Sequence, residues 1–282
     1  MYTTLISAKE LTHFSGDLRV FDCSADLTNP PAGREQFESQ HIAGALFADI
    51  NTDLSSHDPA VAVNGGRHPL PSRAHFAQWL GRMGVGPTTQ VVVYDRQGMN
   101  FCGRLWWMLQ WCGHEAVAVL DGGLQAWVAA GGELASGESP PTHASHFTLR
   151  PARVTLRLTA EVSADLGKPS QTVLDARAPA RFRGETEPFD PVAGHIPGAL
   201  NRPFNTNLGA DGLMKPPAQL RAEFEALLAG HAADTVVHHC GSGISAIPNL
   251  LAMEVAGLGR TALYAGSWSD WCNTPGLPCA QG

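Results

Sequence analysis

The sequence predicts an α/β protein made of two copies of one domain, each a mainly parallel sheet flanked by helices. Three observations carry that reading. The chain has 282 residues, enough for two domains of roughly 100–200 residues each. Short β-branched runs alternate with stretches of helical spacing, the pattern of a parallel sheet with crossover helices. A series of landmarks in the first half also recurs, in the same order, in the second.

The landmarks open with Val20-Phe21-Asp22-Cys23, followed by His41-Ile42-Ala43-Gly44-Ala45-Leu46. Their counterparts are Val173-Leu174-Asp175-Ala176 and His195-Ile196-Pro197-Gly198-Ala199-Leu200. The step from Asp to His is 19 residues in one copy and 20 in the other. Next, Val91-Val92-Val93-Tyr94-Asp95 answers Thr235-Val236-Val237-His238-His239-Cys240, an apolar run ending at a polar residue. Leu120-Asp121-Gly122-Gly123 with Trp127 answers Leu263-Tyr264-Ala265-Gly266 with Trp268 and Trp271. Four landmarks in one order identify a duplication. The expected division is a first domain over 1–135, a linker over 136–152 and a second domain over 153–282. Ser136-Gly137-Glu138-Ser139-Pro140-Pro141 in the linker has no helical or strand period.

Each element has a local cause. The runs before Asp95 and Cys240 read as strands buried on both faces, because they are apolar without alternation. Ser72 is placed to cap a helix carrying Phe76, Trp79, Leu80 and Met83 on one side. Its counterpart carries Leu220, Phe224, Leu227 and Leu228 and is expected to stop at Gly230. Beyond Cys240, Ile247, Leu250, Leu251 and Val255 have helical spacing. Pro248 fits only a first turn, which puts the expected helix start near Ser245.

Composition sets the outer bounds. A hydrophobic fraction of 44% supports well-filled cores, while a net charge of −7 argues against nucleic-acid backbone binding. No apolar run approaches the ~18–20 residues of a membrane span. Met1-Tyr2-Thr3-Thr4-Leu5-Ile6 shows no secretory pattern. Six cysteines without regular spacing suggest free thiols in a reducing compartment, so the cytoplasm is the expected location.

The copies differ chemically at one position, where the first has Asp95 and the second Cys240. In an open α/β sheet, the turn after a strand's carboxyl end is where ligands bind. Gly241 and Gly243 let the loop Cys240-Gly241-Ser242-Gly243-Ile244-Ser245-Ala246 curl without a Cβ clash. Its N–H groups can then point at the sulfur, above the positive end of the next helix. That arrangement favours thiolate over thiol and would stabilise a bound persulfide. Gly241, Gly243, Ile244, Ser245 and Ala246 are therefore the candidate binding residues around Cys240. An inert buried cysteine is the plainer alternative. A phosphatase is disfavoured by Ala246, since that chemistry wants an arginine six residues after the cysteine. No metal or cofactor is expected, because His238 and His239 face opposite sides of their strand.

These residues resemble the two-domain rhodanese family over nearly the whole chain. The Cys240 loop is similar to the signature of its 3-mercaptopyruvate sulfurtransferase branch, and the match extends to His195-Ile196-Pro197-Gly198-Ala199 and Gly266-Ser267-Trp268-Ser269-Asp270-Trp271. The resemblance implies tandem rhodanese-like domains with the catalytic loop in the second. It implies that sulfur passes from 3-mercaptopyruvate, through a Cys240 persulfide, to cyanide or a thiol such as a thioredoxin-like reductant. Thiosulfate-preferring relatives tend to carry basic side chains directly after the cysteine, so Gly241 and Ser242 favour mercaptopyruvate. Thiosulfate is the alternative donor, and a non-enzymatic rhodanese-like binding module the alternative role.

The resemblance further implies a relay of Ser242, His68 and an acidic residue, with Asn51 at the acidic position and Asp49 and Asp53 nearby. Ser242 could instead cap the following helix. Arg181 matches the first of two arginines that hold the donor carboxylate, with a surface charge as the plainer reading. At the second position the sequence reads Glu187-Pro188-Phe189-Asp190-Pro191, which leaves Arg67 or Arg183 to assist. His41, His195, Asp22 and Asp175 recur in both copies and read as structural.

Overall fold

The computed structural model describes residues 1–141 and 143–282; position 142, inside the expected linker, lies outside the described residues. The chain forms two compact units, one of residues 1–61, 71–153 and 210–213, the other of residues 62–70, 154–209 and 214–282.

The strands of the first unit are β1 (Leu5–Ile6), β2 (Leu18–Asp22), β3 (His41–Ile42), β4 (Leu46–Phe47), β5 (Gln90–Tyr94), β6 (Val117–Leu120) and β7 (Leu134–Ala135). Five of them form a parallel sheet in the order β1-β6-β5-β2-β4, while β3 and β7 pair antiparallel. In the second unit, β8 (Thr155–Arg157), β9 (Thr172–Asp175), β10 (Leu200–Asn201), β11 (Val236–His239) and β12 (Ala262–Tyr264) form a parallel sheet ordered β10-β9-β11-β12-β8. Taken from its other edge, that order is β8-β12-β11-β9-β10, strand for strand the order of the first sheet. The duplication read from the landmarks is a duplication of topology. Central strands β5 and β11 are buried at every residue, as expected where a parallel sheet is covered on both faces.

Ser72 caps the helix Arg73–Arg82, its side chain accepting from the His75 N–H at 3.2 Å, and Phe76, Trp79 and Leu80 are buried. Met83 falls just past the helix and is only half-buried. The counterpart helix Pro217–Leu228 buries Leu220, Phe224 and Leu228, with Leu227 half-buried. It closes just before Gly230, a positive-φ glycine as expected. The chain turns left-handed already at Ala229, φ 49°, and Gly230 continues at φ 94°. Two consecutive left-handed residues close this helix, and the glycine is the second of them. The helix after Cys240 spans Ile247–Val255, with Pro248 in its first turn. It starts later than Ser245 because residues 241–246 are spent on the loop.

Residues from the expected linker pack on the first unit. Ser145 donates its N–H to the Gly81 carbonyl at 2.8 Å, Arg150 donates to that of Cys112 at 3.1 Å, and Phe147 is buried. Among the described residues, no helix is long and apolar enough to cross a membrane.

Candidate active site

Cys240 sits at the carboxyl end of β11, the middle strand of its sheet, and is 2% exposed. The Ile244 N–H donates to its Sγ at 3.3 Å. The loop is fastened from below: Cys240 donates its N–H to Ser267 Oγ at 3.1 Å, and its carbonyl accepts from Trp268 at 3.0 Å. The Gly241 carbonyl accepts from the Ser269 N–H at 2.9 Å. Gly243 has φ +77°, and a Cβ there would stand 2.2 Å from the Ala265 carbonyl oxygen. Only glycine fits both the dihedral and the space. Ser245 and Ala246 carry the loop into the helix, with the Ala246 carbonyl already accepting from Asn249 at 3.1 Å.

The first unit holds a loop of the same length around a different side chain, although Met99 there is left-handed at φ 66° and its counterpart Ile244 is not. Asp95 Oδ1 accepts from the N–H groups of Gln97 and Met99, each at 2.9 Å. Its Oδ2 accepts from those of Phe101 at 2.8 Å and Cys102 at 2.9 Å. Both loops reach their helix seven residues on, at Cys102 and at Ile247. Gly98 and Gly243 hold the same place, with φ of 67° and 77°. The Leu124 N–H meets the Asp95 carbonyl at 3.3 Å, as Trp268 meets that of Cys240. In that register, the donors to Asp95 correspond to the N–H groups of Ser242, Ile244, Ala246 and Ile247. The Ile247 N–H is turned to the Ile244 carbonyl at 3.2 Å. This correspondence was hidden in the sequence, where Asp95 reads only as a missing cysteine.

Segment 62–70 belongs to the same unit as the loop. The Arg67 N–H donates to Ser269 Oγ at 3.0 Å, and Gly66, φ +88°, has no room for a Cβ against Ser269 and Gly266. His68 is thereby held buried with Nδ1 2.8 Å from Ser242 Oγ. The following helix has no side-chain cap, so Ser242 faces the imidazole in place of capping. The acidic candidates are used within their own turn in the first unit. Asp49 Oδ1 accepts from the Asn51 N–H at 2.7 Å, and Asp53 Oδ2 accepts from the Asp49 N–H at 2.9 Å. Burial pushes the Asp53 carboxyl up.

Arg181 and Arg67 flank the residue after the cysteine. A Cβ on Gly241 would lie 3.0 Å from Arg67 Nη2 and 3.4 Å from Arg181 Nη1. Arg181 is paired with Glu187, Nη2 to Oε1 at 2.6 Å, and Arg67 Nη1 donates to Asp190 Oδ1. Both guanidinium groups stack on the Phe189 ring, 5.3 Å away for Arg67 and 5.2 Å for Arg181. Arg183 instead pairs with Glu185 on the surface.

Behind them, Arg177 is fully buried between Asp175 at 2.6 Å and Glu187 at 3.3 Å, over the Trp268 ring. Burial alone would raise Asp175, but His239 and Arg177 outweigh it and hold the carboxyl below its usual range. Burial also pushes His239 down, against the pull of Asp175. His41 and His195 bond the carbonyls of Phe37 and Phe182 at 2.7 and 2.8 Å while stacking on those rings. Their roles are structural. Sequence reasoning missed Arg177, Glu187 and Asp190; the one available signal was acid standing where a second arginine was sought.

Comparison with known proteins agrees with this architecture. The model of the rhodanese-like domain matches residues 7–130 and 158–274. A Pseudomonas aeruginosa protein named "Probable 3-mercaptopyruvate sulfurtransferase" is 47% identical over 94% of this chain and 93% of its own length. A Mycobacterium tuberculosis protein provisionally named thiosulfate sulfurtransferase SseB is 38% identical over 99% of this chain and 97% of its own. The structure of 3-mercaptopyruvate sulfurtransferase from Leishmania major superposes with a TM-score of 0.81 at 30% identity, covering 98% of this chain and 76% of that one.

Proposed function

Because the chain belongs to the rhodanese family and is a sulfurtransferase with two such domains, we propose that it moves sulfur from 3-mercaptopyruvate through a persulfide on Cys240 to a thiol or cyanide. The Cys240 thiolate attacks the donor sulfur. An S–S bond forms and the donor's C–S bond breaks, leaving its electron pair on carbon as the enolate of pyruvate. Ser242, backed by His68, is placed to pass a proton to that enolate, which becomes pyruvate. An acceptor thiolate or cyanide then attacks the outer sulfur and returns the Cys240 thiolate. The free cysteines and the thiol acceptor, including a thioredoxin-like reductant, fit a cytoplasmic protein. In this reading residues 153–282 form the domain with the catalytic cysteine and residues 1–135 its copy without that cysteine.

One observation carries the proposal. The loop that holds Cys240 is the counterpart, equal in length and with its left-handed glycine at the same place, of a loop whose N–H groups gather a carboxylate on Asp95. A persulfide extends from its Cβ by two sulfur atoms, as a carboxylate extends by a carbon and its oxygens, and ends in negative charge. Loading the protein with 3-mercaptopyruvate should add one sulfur to Cys240 and release pyruvate in equal amount. A pyruvate yield with no mass gain at Cys240 would refute the persulfide.

Thiosulfate is a second reading, favoured by the two guanidinium groups beside Gly241, because paired arginines also suit a dianion. Comparing kcat/KM for the two donors separates them, with mercaptopyruvate expected to be preferred.

A further inference from the structure

Arg67 and Arg181 each use only part of their hydrogen-bonding capacity on protein. Arg67 spends Nη1 on Asp190, and Arg181 spends Nε and Nη2 on Glu187. Arg67 Nη2 and Arg181 Nη1 have no hydrogen bond among the described residues, and these are the ends nearest Gly241. The arginine side chains are partly open, 28% and 18% exposed, while Asp190 and Glu187 behind them are 2% and 3% exposed. Asp190 Oδ2 is itself buried without a hydrogen bond among the described residues, 3.8 Å from Arg181 Nη2. The carboxylates brace the arms from the rear, and the unused N–H groups converge in front, one residue from Cys240.

We propose that Arg67 is a second donor-binding arm, closing with Arg181 on the donor's carboxylate, and that Asp190 positions Arg67 and sets which donor charge the clamp accepts. The inference rests on the sulfur-donor reading above and deepens it. Two guanidinium groups against two carboxylates leave the clamp close to neutral before a donor arrives. A monoanionic carboxylate then meets directed N–H donors at modest electrostatic cost. A dianion brings a second negative charge toward Asp190 and the Cys240 sulfur, where Coulomb repulsion disfavours it. Phe189 keeps the arms apart by stacking against both.

The test uses the full chain and three readouts. Arg67→Met should raise KM for 3-mercaptopyruvate about tenfold or more, the worth of a charge-assisted pair, with kcat changed far less. Arg67→Lys should recover only part of this, since a point charge lacks the paired geometry, and it serves also if the methionine variant does not fold. Asp190→Asn should shift the kcat/KM ratio toward thiosulfate by about tenfold. An unchanged KM in a folded Arg67 variant, or an unchanged donor ratio in Asp190→Asn, would overturn the proposal. Pyruvate binding, followed by calorimetry, judges the clamp apart from the reaction. Weaker pyruvate binding in Arg67→Met supports the arm even if wild type forms no persulfide from mercaptopyruvate, and equal binding removes it.

Discussion

Ser242 Oγ and His68 Nδ1 lie 2.8 Å apart although 174 residues separate them in the chain. The contact joins a loop that ends a buried strand to a segment fixed by Gly66 and Ser269. A hydroxyl on an imidazole can relay a proton, and this one stands two residues after Cys240.

If the pair moves that proton, Ser242→Ala and His68→Ala should each slow pyruvate release from 3-mercaptopyruvate by about 10²–10⁴ in kcat. Groups that act as a unit are non-additive, so the double variant should be little worse than the poorer single one. Steady-state kinetics on the four proteins decides it. Losses that multiply would show two independent roles.

Asp95 should matter for stability. Its carboxylate satisfies four N–H groups in a buried loop. Asp95→Ala strands all four and should cost at least about 3 kcal/mol in urea unfolding. Asp95→Asn keeps one acceptor oxygen and should lose less. Equal stability of the alanine variant and wild type would show that the loop rearranges freely.

Gly243→Ala should damage the site through the backbone. The left-handed dihedral and the carbonyl of Ala265 at 2.2 Å from the added Cβ both oppose it. We expect a loss of roughly 1–3 kcal/mol from strain alone, with sulfur transfer falling further than stability. A variant with wild-type activity would mean that the loop geometry is not required.

His238 supplies a pH dependence. Burial pushes its pKa down to about 3, and neither ring nitrogen has a hydrogen bond among the described residues. The unfolded chain takes up that proton near pH 6.5. The stabilising contribution of keeping His238 neutral is therefore complete above about pH 6.5 and falls away as pH drops toward the folded value. His239, lowered in the same direction, adds to the trend. Thermal melting of His238→Leu should show a shallower loss of stability between about pH 6 and 4 than wild type. Parallel curves would count against it.

Much of this was legible in the sequence because it is local. The repeated landmarks, the strand before Cys240 and the glycines after it are contiguous, and they locate both sheets and the loop. The left-handed turn at Ala229 was not legible, because glycine beside it is the usual left-handed residue and alanine is not. Neither was the pairing of Arg67 with Asp190. Arg67 and Asp190 stand 123 residues apart, and no pattern short of the fold brings them together. In the sequence Asp95 stands only as the lack of a nucleophile, and its four hydrogen bonds to the loop's N–H groups appear only in the fold.

The most direct test is to mix the purified protein with 3-mercaptopyruvate alone and weigh it intact. The account predicts a gain of one sulfur on wild type, removed by added thiol, and no gain on a folded Cys240→Ser variant. A Cys240→Ser protein that still turned over sulfur, or a wild-type protein that gained it on another cysteine, would contradict the account.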